Sequence, residues 1–260
     1  MPDPQTDDVR FSVDGHVATL TLDRPRKLNA VTPEMTERIR ELADRVNTEL
    51  EIRVLVLTGA GDRAFCAGSD IRELDTYDTP WQFRDRPDYC DAVRGIRKPV
   101  IAAVNGYAFG GGLELAMSAD IRLAATGATF AAPEIKLGWV GGGGQASLLA
   151  HSIGPSNAAV MIYTGDPIDA AQAQAWGLVS AVHEPGELAA AAVELAGRIA
   201  ERAPIAAQTG KLSLRSAHSV PLEDAIRYER DLQTICFATE DAAEGRAAFK
   251  AGRAPRFTGR

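Results

Sequence analysis

The chain has 260 residues, of which 45% are hydrophobic and 24% charged, and its formal net charge is −7 at pH 7. An acidic chain without basic blocks argues against non-specific nucleic-acid binding, and no apolar run approaches the roughly 18 residues that a membrane-spanning helix needs. Three cysteines without a CxxC pair indicate neither a disulfide framework nor a cysteine zinc site. Because the N-terminus also lacks the features of a signal peptide, we expect a cytoplasmic protein with no metal and no nucleic-acid or membrane partner.

The first sixty residues predict the start of a β-α-β unit. Alternating apolar residues over 11–23 predict two short strands around the turn signal Asp14-Gly15. Thr32-Pro33 predicts the start of a helix whose apolar positions keep helical spacing to residue 50. A β-branched run over 52–57 then predicts a buried strand. This order favours a partly parallel sheet with a right-handed crossover.

Two segments of small residues follow a strand and precede a helix. The first, at 64–71, places Asp70 as the predicted cap of a short helix. The second follows the apolar strand 99–104 and leads into a helix over 113–117. Between them, residues 75–91 are predicted to be irregular and hold four aromatic residues. Such a segment is typical of a binding loop, or of a surface excursion with its own small cluster.

The second half of the chain alternates short strands and helices before it becomes entirely helical. We predict strands over 120–124 and 179–182, and helices over 145–152, 157–164, 170–176, 184–202, 205–218, 221–237 and 239–251. Because no strand pattern follows Ala203, the sequence predicts a core domain over 1–200 and a C-terminal helical segment over 201–260. Helices gathered at one end of a chain often cover a neighbouring subunit, which favours self-association.

Each of these two segments forms a junction between a strand and a helix. The second junction contains Gly110, Gly111 and Gly112, which predict unpaired backbone N–H groups at a helix N-terminus. Such a terminus attracts an anion or a developing oxyanion, because its N–H groups are unpaired and carry a partial positive charge. Two N–H groups from separate junctions, aimed at one point, would form an oxyanion hole, in which each donor is worth roughly 3–4 kcal/mol of barrier. The alternative is that the glycines only let the helix pack closely on the sheet.

Two glutamates, Glu114 and Glu134, occur in apolar surroundings near glycine-rich segments. Burial raises the pKa of a carboxyl group and suits it to proton transfer near neutral pH. Two acids in one pocket can divide the roles of base and acid between them. The alternative for each residue is a satisfied capping acid, and their spacing in sequence does not by itself bring them together.

A series of motifs runs in order along nearly the whole chain. They are Arg24-Pro25 with Leu28-Asn29-Ala30, Phe65-Cys66-Ala67-Gly68-Ser69-Asp70-Ile71, Lys98 to Gly106, Phe109 to Leu115, Asp120-Ile121-Arg122, Pro133 to Gly138, and Ala171 with Gly177-Leu178-Val179. Together these motifs resemble the enoyl-CoA hydratase/isomerase (crotonase) family. The resemblance implies an α/β crotonase (ClpP-like) fold, in which repeated ββα units form packed sheets and a C-terminal helical segment supports trimerisation. It also implies a homotrimer or homohexamer.

The resemblance also implies a set of site residues. Ala67 and Gly111 would supply the two N–H groups of an oxyanion hole that binds the thioester carbonyl of an acyl-CoA and stabilises its enolate. Glu114 and Glu134 match the two glutamates of hydratase members, which hold one water between them, one acting as base and the other delivering a proton to the α-carbon. The residues expected to bind substrate are Arg26, Lys27, Ala64, Gly68, Ser69, Asp70, Ile71, Gly110, Trp139, Gly142 and Phe249. No cofactor beyond the CoA of the substrate is implied.

Three departures from the family pattern concern the acyl and CoA sites. After Gly138, many family members have a small residue followed by Ile or Leu, then Pro and Gly, whereas this chain has Trp139-Val140-Gly141-Gly142. The tryptophan would narrow the pocket or change the orientation of Glu134. Gln145-Ala146-Ser147 stands in place of the frequent Gly-Thr-Gln-Arg. Gly252 occupies a position where lysine is common, with Arg253 beside it, so contacts with the CoA phosphates would be rearranged.

With both glutamates present, the resemblance implies reversible syn hydration of a 2-enoyl-CoA to a 3-hydroxyacyl-CoA. One alternative is another reaction of the same family, namely double-bond isomerisation or hydrolysis of a CoA thioester or diketone, which would need only one of the two glutamates. A second alternative is a non-catalytic acyl-CoA-binding protein. Two buried carboxylates are costly for a protein that only binds, which argues against that reading.

Overall fold

The computed structural model describes residues 8–74 and 76–260. The strands in this part of the chain are β1 (Val9–Asp14), β2 (Val17–Leu22), β3 (Val54–Gly59), β4 (Ala64–Cys66), β5 (Val100–Val104), β6 (Tyr107–Phe109), β7 (Ile121–Ala125), β8 (Thr129–Ala131), β9 (Ile168–Asp169) and β10 (Ala181–His183). The α-helices are α1 (Pro33–Thr48), α2 (Ile71–Leu74), α3 (Pro80–Arg84), α4 (Tyr89–Arg94), α5 (Gly111–Ser118), α6 (Gln145–Thr164), α7 (Ala170–Trp176), α8 (Pro185–Ala200), α9 (Pro204–Ser216), α10 (Leu222–Phe237) and α11 (Glu240–Ala251).

The larger sheet has six strands in the order β1-β2-β3-β5-β7-β10. Strands β1 and β2 form an antiparallel hairpin, and the remaining neighbours pair in parallel, as the β-α-β start predicts. The two faces of this sheet are covered differently. Leu55 and Leu57 of β3 belong to the main core beneath α1, whereas Val54 and Val56 belong to a second cluster beneath α8. Burial on both faces explains the continuous apolar runs of β3 and β5.

A second sheet has four strands in the order β4-β6-β8-β9, which were not predicted individually. Its strands are only two or three residues long, so the sequence shows no periodicity there. Each of β4, β6 and β8 directly follows a strand of the larger sheet and precedes a helix or a 3₁₀ turn. The chain thus contains the repeated ββα units that the family resemblance implies, and the second sheet carries the segments that end at the predicted site.

The prediction that residues 75–91 are irregular was partly wrong, because α3 and the start of α4 lie in this segment. Both helices are short and held by caps. Thr79 and Gln82 form a capping box around α3, and the Asp88 carboxylate accepts N–H groups of the first turn of α4. The predicted break after residue 152 is confirmed as a kink inside α6, where Gly154 has a φ of 78°.

The three C-terminal helices α9, α10 and α11 agree with the prediction to within one residue at the N-terminus and two at the C-terminus. An ion pair between the buried Lys211 and the partly exposed Asp120, just before β7, attaches α9 to the sheet. Lys211 Nζ lies 2.7 Å from Asp120 Oδ2 and donates to the Lys98 carbonyl at 2.8 Å. In the described residues, no helix is both long and apolar enough to cross a membrane. The division into two domains at residue 200 stays a prediction, although α8 ends at that residue.

Candidate active site

A cavity of about 410 Å³ lies over the N-terminus of α5. It is bounded by the loop after β4, by α3 and α4, and by the segment that follows β8. The residues around it are Ala67, Ser69, Ile71, Leu74, Phe83, Arg84, Arg86, Asp88, Tyr89, Asp91, Gly110, Gly111, Glu114, Pro133, Glu134, Leu137, Trp139, Val140, Gly141 and Gly142. The structure thus brings together both predicted junctions and both predicted glutamates.

Close backbone approach explains the glycines before α5. Gly110 has a φ of 56° and donates its N–H to the Ala131 carbonyl. A Cβ at Gly112 would collide with the Cys66 carbonyl, so only glycine lets α5 approach β4 this closely. The Gly111 N–H donates to no residue in the described part of the chain. It is therefore an open donor at the positive end of the helix.

The first junction lies directly beside this donor. Gly68 has a φ of 98°, and a Cβ there would lie 3.1 Å from the Gly111 nitrogen. The Ala67 N–H, however, donates to the Leu28 carbonyl at 3.0 Å. Of the two predicted oxyanion-hole amides, the structure thus shows Gly111 open and Ala67 already engaged. The participation of Ala67 stays a prediction.

Glu114 lies on α5 one turn from the open amide and is 6% exposed. Its Oε1 accepts the Gly143 N–H at 2.7 Å and the Gln145 N–H at 3.2 Å. Burial raises the pKa of Glu114 to about 7, and the nearby charge of Glu134 acts in the same direction. The carboxylate packs against Gly141 and Gly143, where a Cβ would lie 2.6 Å and 2.7 Å from its oxygens. The glycine run after Trp139 therefore makes room for Glu114.

Glu134 lies on the 3₁₀ turn Pro133–Leu137, is 8% exposed, and faces the same cavity. Its Oε2 accepts the side-chain amide of Gln145, with Nε2 at 2.8 Å. Its Oε1 lies over Gly110, 2.8 Å from where a Cβ of that residue would be. Gln145 thus contacts both carboxylates, Glu114 through its main chain and Glu134 through its side chain. Sequence reasoning noticed Gln145 only as a departure from the family pattern.

Known proteins resemble this chain in sequence along most of its length. The sequence model of the enoyl-CoA hydratase/isomerase family matches residues 12–260. The chain belongs to this family. It is 39% identical to the (E)-benzylidenesuccinyl-CoA hydratase of Thauera aromatica, over 96% of this chain and 99% of that protein. It is 39% identical to the 2,3-dehydroadipyl-CoA hydratase of Escherichia coli, over 94% of this chain and 96% of that protein.

Solved structures of the family share the whole architecture. The enoyl-CoA hydratase of Bacillus anthracis superposes with a TM-score of 0.93 at 33% identity, over 97% of this chain and all of that chain. That of Geobacillus kaustophilus superposes with a TM-score of 0.92 at 37% identity, over 97% and 98% of the two chains. The predicted α/β crotonase fold is therefore confirmed.

The predicted substrate-binding residues fall into two groups. The first group lines the cavity and consists of Ser69, Ile71, Gly110, Trp139 and Gly142. The second group lies outside its lining and consists of Arg26, Lys27, Ala64, Gly68, Asp70 and Phe249. Within this second group, Arg26 and Lys27 are exposed on the 3₁₀ turn Pro25–Lys27, and Phe249 is 88% exposed on α11. Contacts of these three residues with CoA stay predictions.

Ala64, Gly68 and Asp70 form hydrogen bonds within the protein, and the Gly68 carbonyl accepts the Val31 N–H at 2.9 Å. The Ala64 carbonyl accepts the side-chain amide of Asn29 at 2.7 Å. The Asp70 carboxylate accepts from both terminal nitrogens of Arg24 at 3.3 Å and caps α2 through the Arg72 N–H, as predicted. These bonds fix the loop whose backbone lies beside Gly111.

A second cavity, of about 250 Å³, adjoins the first and was not anticipated from the sequence. Five residues line both cavities, namely Ser69, Leu74, Arg86, Asp88 and Tyr89. Tyr89 is 6% exposed, and its hydroxyl lies 3.3 Å from Ser69 Oγ. One layer of side chains thus separates the first cavity from further space beside α1 and α2. In the described residues, no group of three or more His, Cys, Asp or Glu side chains is arranged to hold a metal ion.

Proposed function

We propose that this chain is an enoyl-CoA hydratase, which adds water reversibly across the 2,3 double bond of a 2-enoyl-CoA. The observation that carries the proposal is the meeting of two buried carboxylates beside an open helix N-terminal amide. Glu114 and Glu134 both contact Gln145, and both face the cavity that contains the Gly111 N–H. A single carboxylate would suffice for isomerisation, whereas hydration needs one group for the water and one for the α-carbon.

In this proposal the thioester oxygen accepts the Gly111 N–H. Negative charge moves onto that oxygen when the nucleophile adds, so a fixed donor at the positive end of α5 stabilises the enolate more than the ground state. The Ala67 N–H would contribute by sharing its proton between the Leu28 carbonyl and the thioester oxygen. A Cβ at the neighbouring Gly68 would lie 3.1 Å from the Gly111 nitrogen, so the segment that carries Ala67 lies close to the open amide.

We assign the base to Glu114 and the acid to Glu134. A carboxyl group with a pKa of about 7 is suited to accept a proton from water near neutral pH. Glu134 Oε1 lies over Gly110, next to the position of the enolate, which suits it to protonate the α-carbon. The water oxygen bonds to C3, its proton passes to Glu114, the π electrons form the enolate, and C2 takes the proton of Glu134. Return of the proton from Glu114 to Glu134 through solvent closes the cycle without a cofactor.

The relatives support hydration as the reaction class. The Thauera aromatica and Escherichia coli relatives are named as hydratases of two different CoA thioesters, so their names agree on the reaction and differ in the acyl group. In this chain Trp139 is 41% exposed at the cavity and Leu137 is 54% exposed beside it. We propose that these side chains contact the acyl group and define its shape.

We also propose that the active protein is a homotrimer or homohexamer assembled through the C-terminal helices. These helices expose large apolar side chains, since Leu214 is 71%, Leu222 72% and Phe237 65% exposed. Faces of this kind occur where subunits associate. Phe249 of α11 would then approach the CoA of a neighbouring subunit. Sedimentation equilibrium tests the assembly, and a monomer at assay concentrations would contradict it.

The decisive experiment follows the absorbance of the conjugated enoyl thioester with crotonyl-CoA and with a longer or branched 2-enoyl-CoA. We expect the unmodified chain to remove this absorbance, and Glu114→Gln and Glu134→Gln each to lose at least about 100-fold in kcat. The exposed Glu187 of α8 provides the matched control, Glu187→Gln. An isomerase would depend mainly on one glutamate, a hydrolase would release free CoA thiol, and a binding protein would bind the thioester without turnover.

A further inference from the structure

Gln145 is the first residue of α6 and is only 2% exposed, although its side chain is polar. Both ends of its side-chain amide are engaged. Oε1 accepts the Gly141 N–H at 3.3 Å, and Nε2 donates to Glu134 Oε2 at 2.8 Å. The Gly141 N–H can only donate, so it fixes which end of the amide is oxygen. The nitrogen therefore has to face Glu134.

This orientation has a consequence for the proton of Glu134. Because the amide nitrogen is a donor only, Glu134 Oε2 must offer it a lone pair in either protonation state. The carbonyl oxygen of a carboxylic acid is a better acceptor than its hydroxyl oxygen, so a proton on Glu134 is favoured on Oε1, the oxygen that lies over Gly110. Gly110 immediately precedes the open Gly111 amide, so the proton is held on the side of the cavity where the enolate would form.

The same residue also fixes the second carboxylate. The main-chain N–H of Gln145 donates to Glu114 Oε1, which also accepts the Gly143 N–H. The charged groups near Gln145 include Glu114, Glu134 and Arg94, and Arg94 Nη1 donates to the Gly143 carbonyl. Asp91 pairs with Arg94, and Asp88 lies near enough to act on Glu114. One residue therefore ties together the two carboxylates at a fixed orientation, without itself lining the cavity.

We propose that Gln145 is a positioning residue that holds the proton of Glu134 on Oε1 and keeps the two glutamates in their separate roles of acid and base. This inference rests on the proposed hydratase activity. Gln145 does not line the cavity, so its removal should act on kcat and leave substrate binding nearly unchanged.

The test compares two substitutions of similar size. Gln145→Met fills the same space without a donor, and we expect its kcat to fall about 10- to 100-fold, the value of a hydrogen bond to a charged group. KM should stay within about threefold of the unmodified chain. Gln145→Glu has a donor only when it is protonated, so its activity relative to the unmodified chain should recover as the pH falls. Gln174→Met, at an exposed position of α7, is the matched control.

The outcomes separate this inference from the proposed function. If the unmodified chain hydrates no 2-enoyl-CoA, both are overturned. If it hydrates and Gln145→Met keeps kcat within about twofold, the positioning role alone is overturned. A purely structural role is also distinguishable, because the deficit of Gln145→Glu would then be the same at every pH. Thermal unfolding and CoA binding of each variant show whether it is folded. If Gln145→Met does not fold, the pH dependence of Gln145→Glu alone tests the positioning role.

Discussion

The hydroxyl of Tyr89 occupies the space in which a Cβ of residue 111 would lie, so α4 and the N-terminus of α5 fit together only when residue 111 is glycine. Burial is the main cause that raises the pKa of Tyr89 well above 10. The group beside the open Gly111 amide is therefore a neutral hydroxyl rather than a phenolate. A phenolate there would compete with the developing oxyanion for the positive end of α5.

This contact gives the first prediction. Gly111→Ala should lower kcat by at least about 100-fold. The new methyl group collides with the Tyr89 hydroxyl, so either the amide of residue 111 leaves the predicted oxyanion site or the Tyr89 side chain moves. Tyr89→Phe removes the colliding hydroxyl, so the double variant should recover part of the activity lost in Gly111→Ala. Steady-state kinetics of both single variants and the double variant measure this coupling. Additive losses would show that the two positions act independently.

The second prediction concerns acyl size. Tyr89 separates cavities of about 410 Å³ and 250 Å³. Tyr89→Leu should join the two cavities. We then expect kcat/KM for a 2-enoyl-CoA with two additional methylene groups to rise about 10-fold relative to that for crotonyl-CoA. The basis is a gain of about 0.8 kcal/mol for each buried methylene. Tyr163→Leu on α6, where the tyrosine is 76% exposed, is the control. An unchanged ratio would show that acyl groups do not enter the second cavity.

The third prediction concerns stability and pH. The native pKa of Glu114 is about 7, above its ordinary value of 4.5, so the folded state binds this proton more tightly than the unfolded state. The free energy of unfolding should therefore fall as the pH rises between these values, by up to about 3 kcal/mol from this group. Glu114→Gln is neutral throughout and keeps an acceptor for the Gly143 N–H. It should be more stable than the unmodified chain above about pH 7.5 and similar to it near pH 4.5.

Urea unfolding at both pH values measures this difference, with Glu187→Gln as the control for loss of one exposed carboxylate. An equal effect of Glu114→Gln at the two pH values would contradict a raised native pKa. Increased stability without activity is also the expected pattern for a carboxyl group whose burial serves catalysis.

The elements of this fold differ in how far the sequence predicts them. Helices α9 to α11 follow from their amphipathic spacing, whereas strands such as β6 and β9 are too short to show a period and depend on pairing with distant segments. Glu114 and Glu134 stand out as carboxylates among apolar residues. The side-chain amide of Gln145 shows no such pattern in the sequence. Its role depends on tertiary structure, because folding brings the turn that follows β8 and helix α5 together at the start of α6.

The fourth prediction concerns the attachment of the C-terminal helices. Lys211 is 5% exposed and pairs with Asp120, which also accepts the Val100 N–H. Lys211→Ala removes the only salt bridge formed by Asp120 within the described residues and should cost about 3 kcal/mol of unfolding free energy. Chemical denaturation measures the loss, with Lys250→Ala at an exposed position of α11 as the control. A loss below about 1 kcal/mol would mean that the apolar contacts of α9 suffice.

The most direct test of the hydratase proposal is to incubate the unmodified chain with a 2-enoyl-CoA in water labelled with heavy oxygen and to weigh the CoA thioester by mass spectrometry. Hydration predicts a thioester heavier by one labelled water, and this product should form at least about 100-fold more slowly with Glu114→Gln and with Glu134→Gln. A thioester of unchanged mass with a moved double bond, or free CoA with a labelled carboxylic acid, would contradict the account and assign the site to isomerisation or hydrolysis.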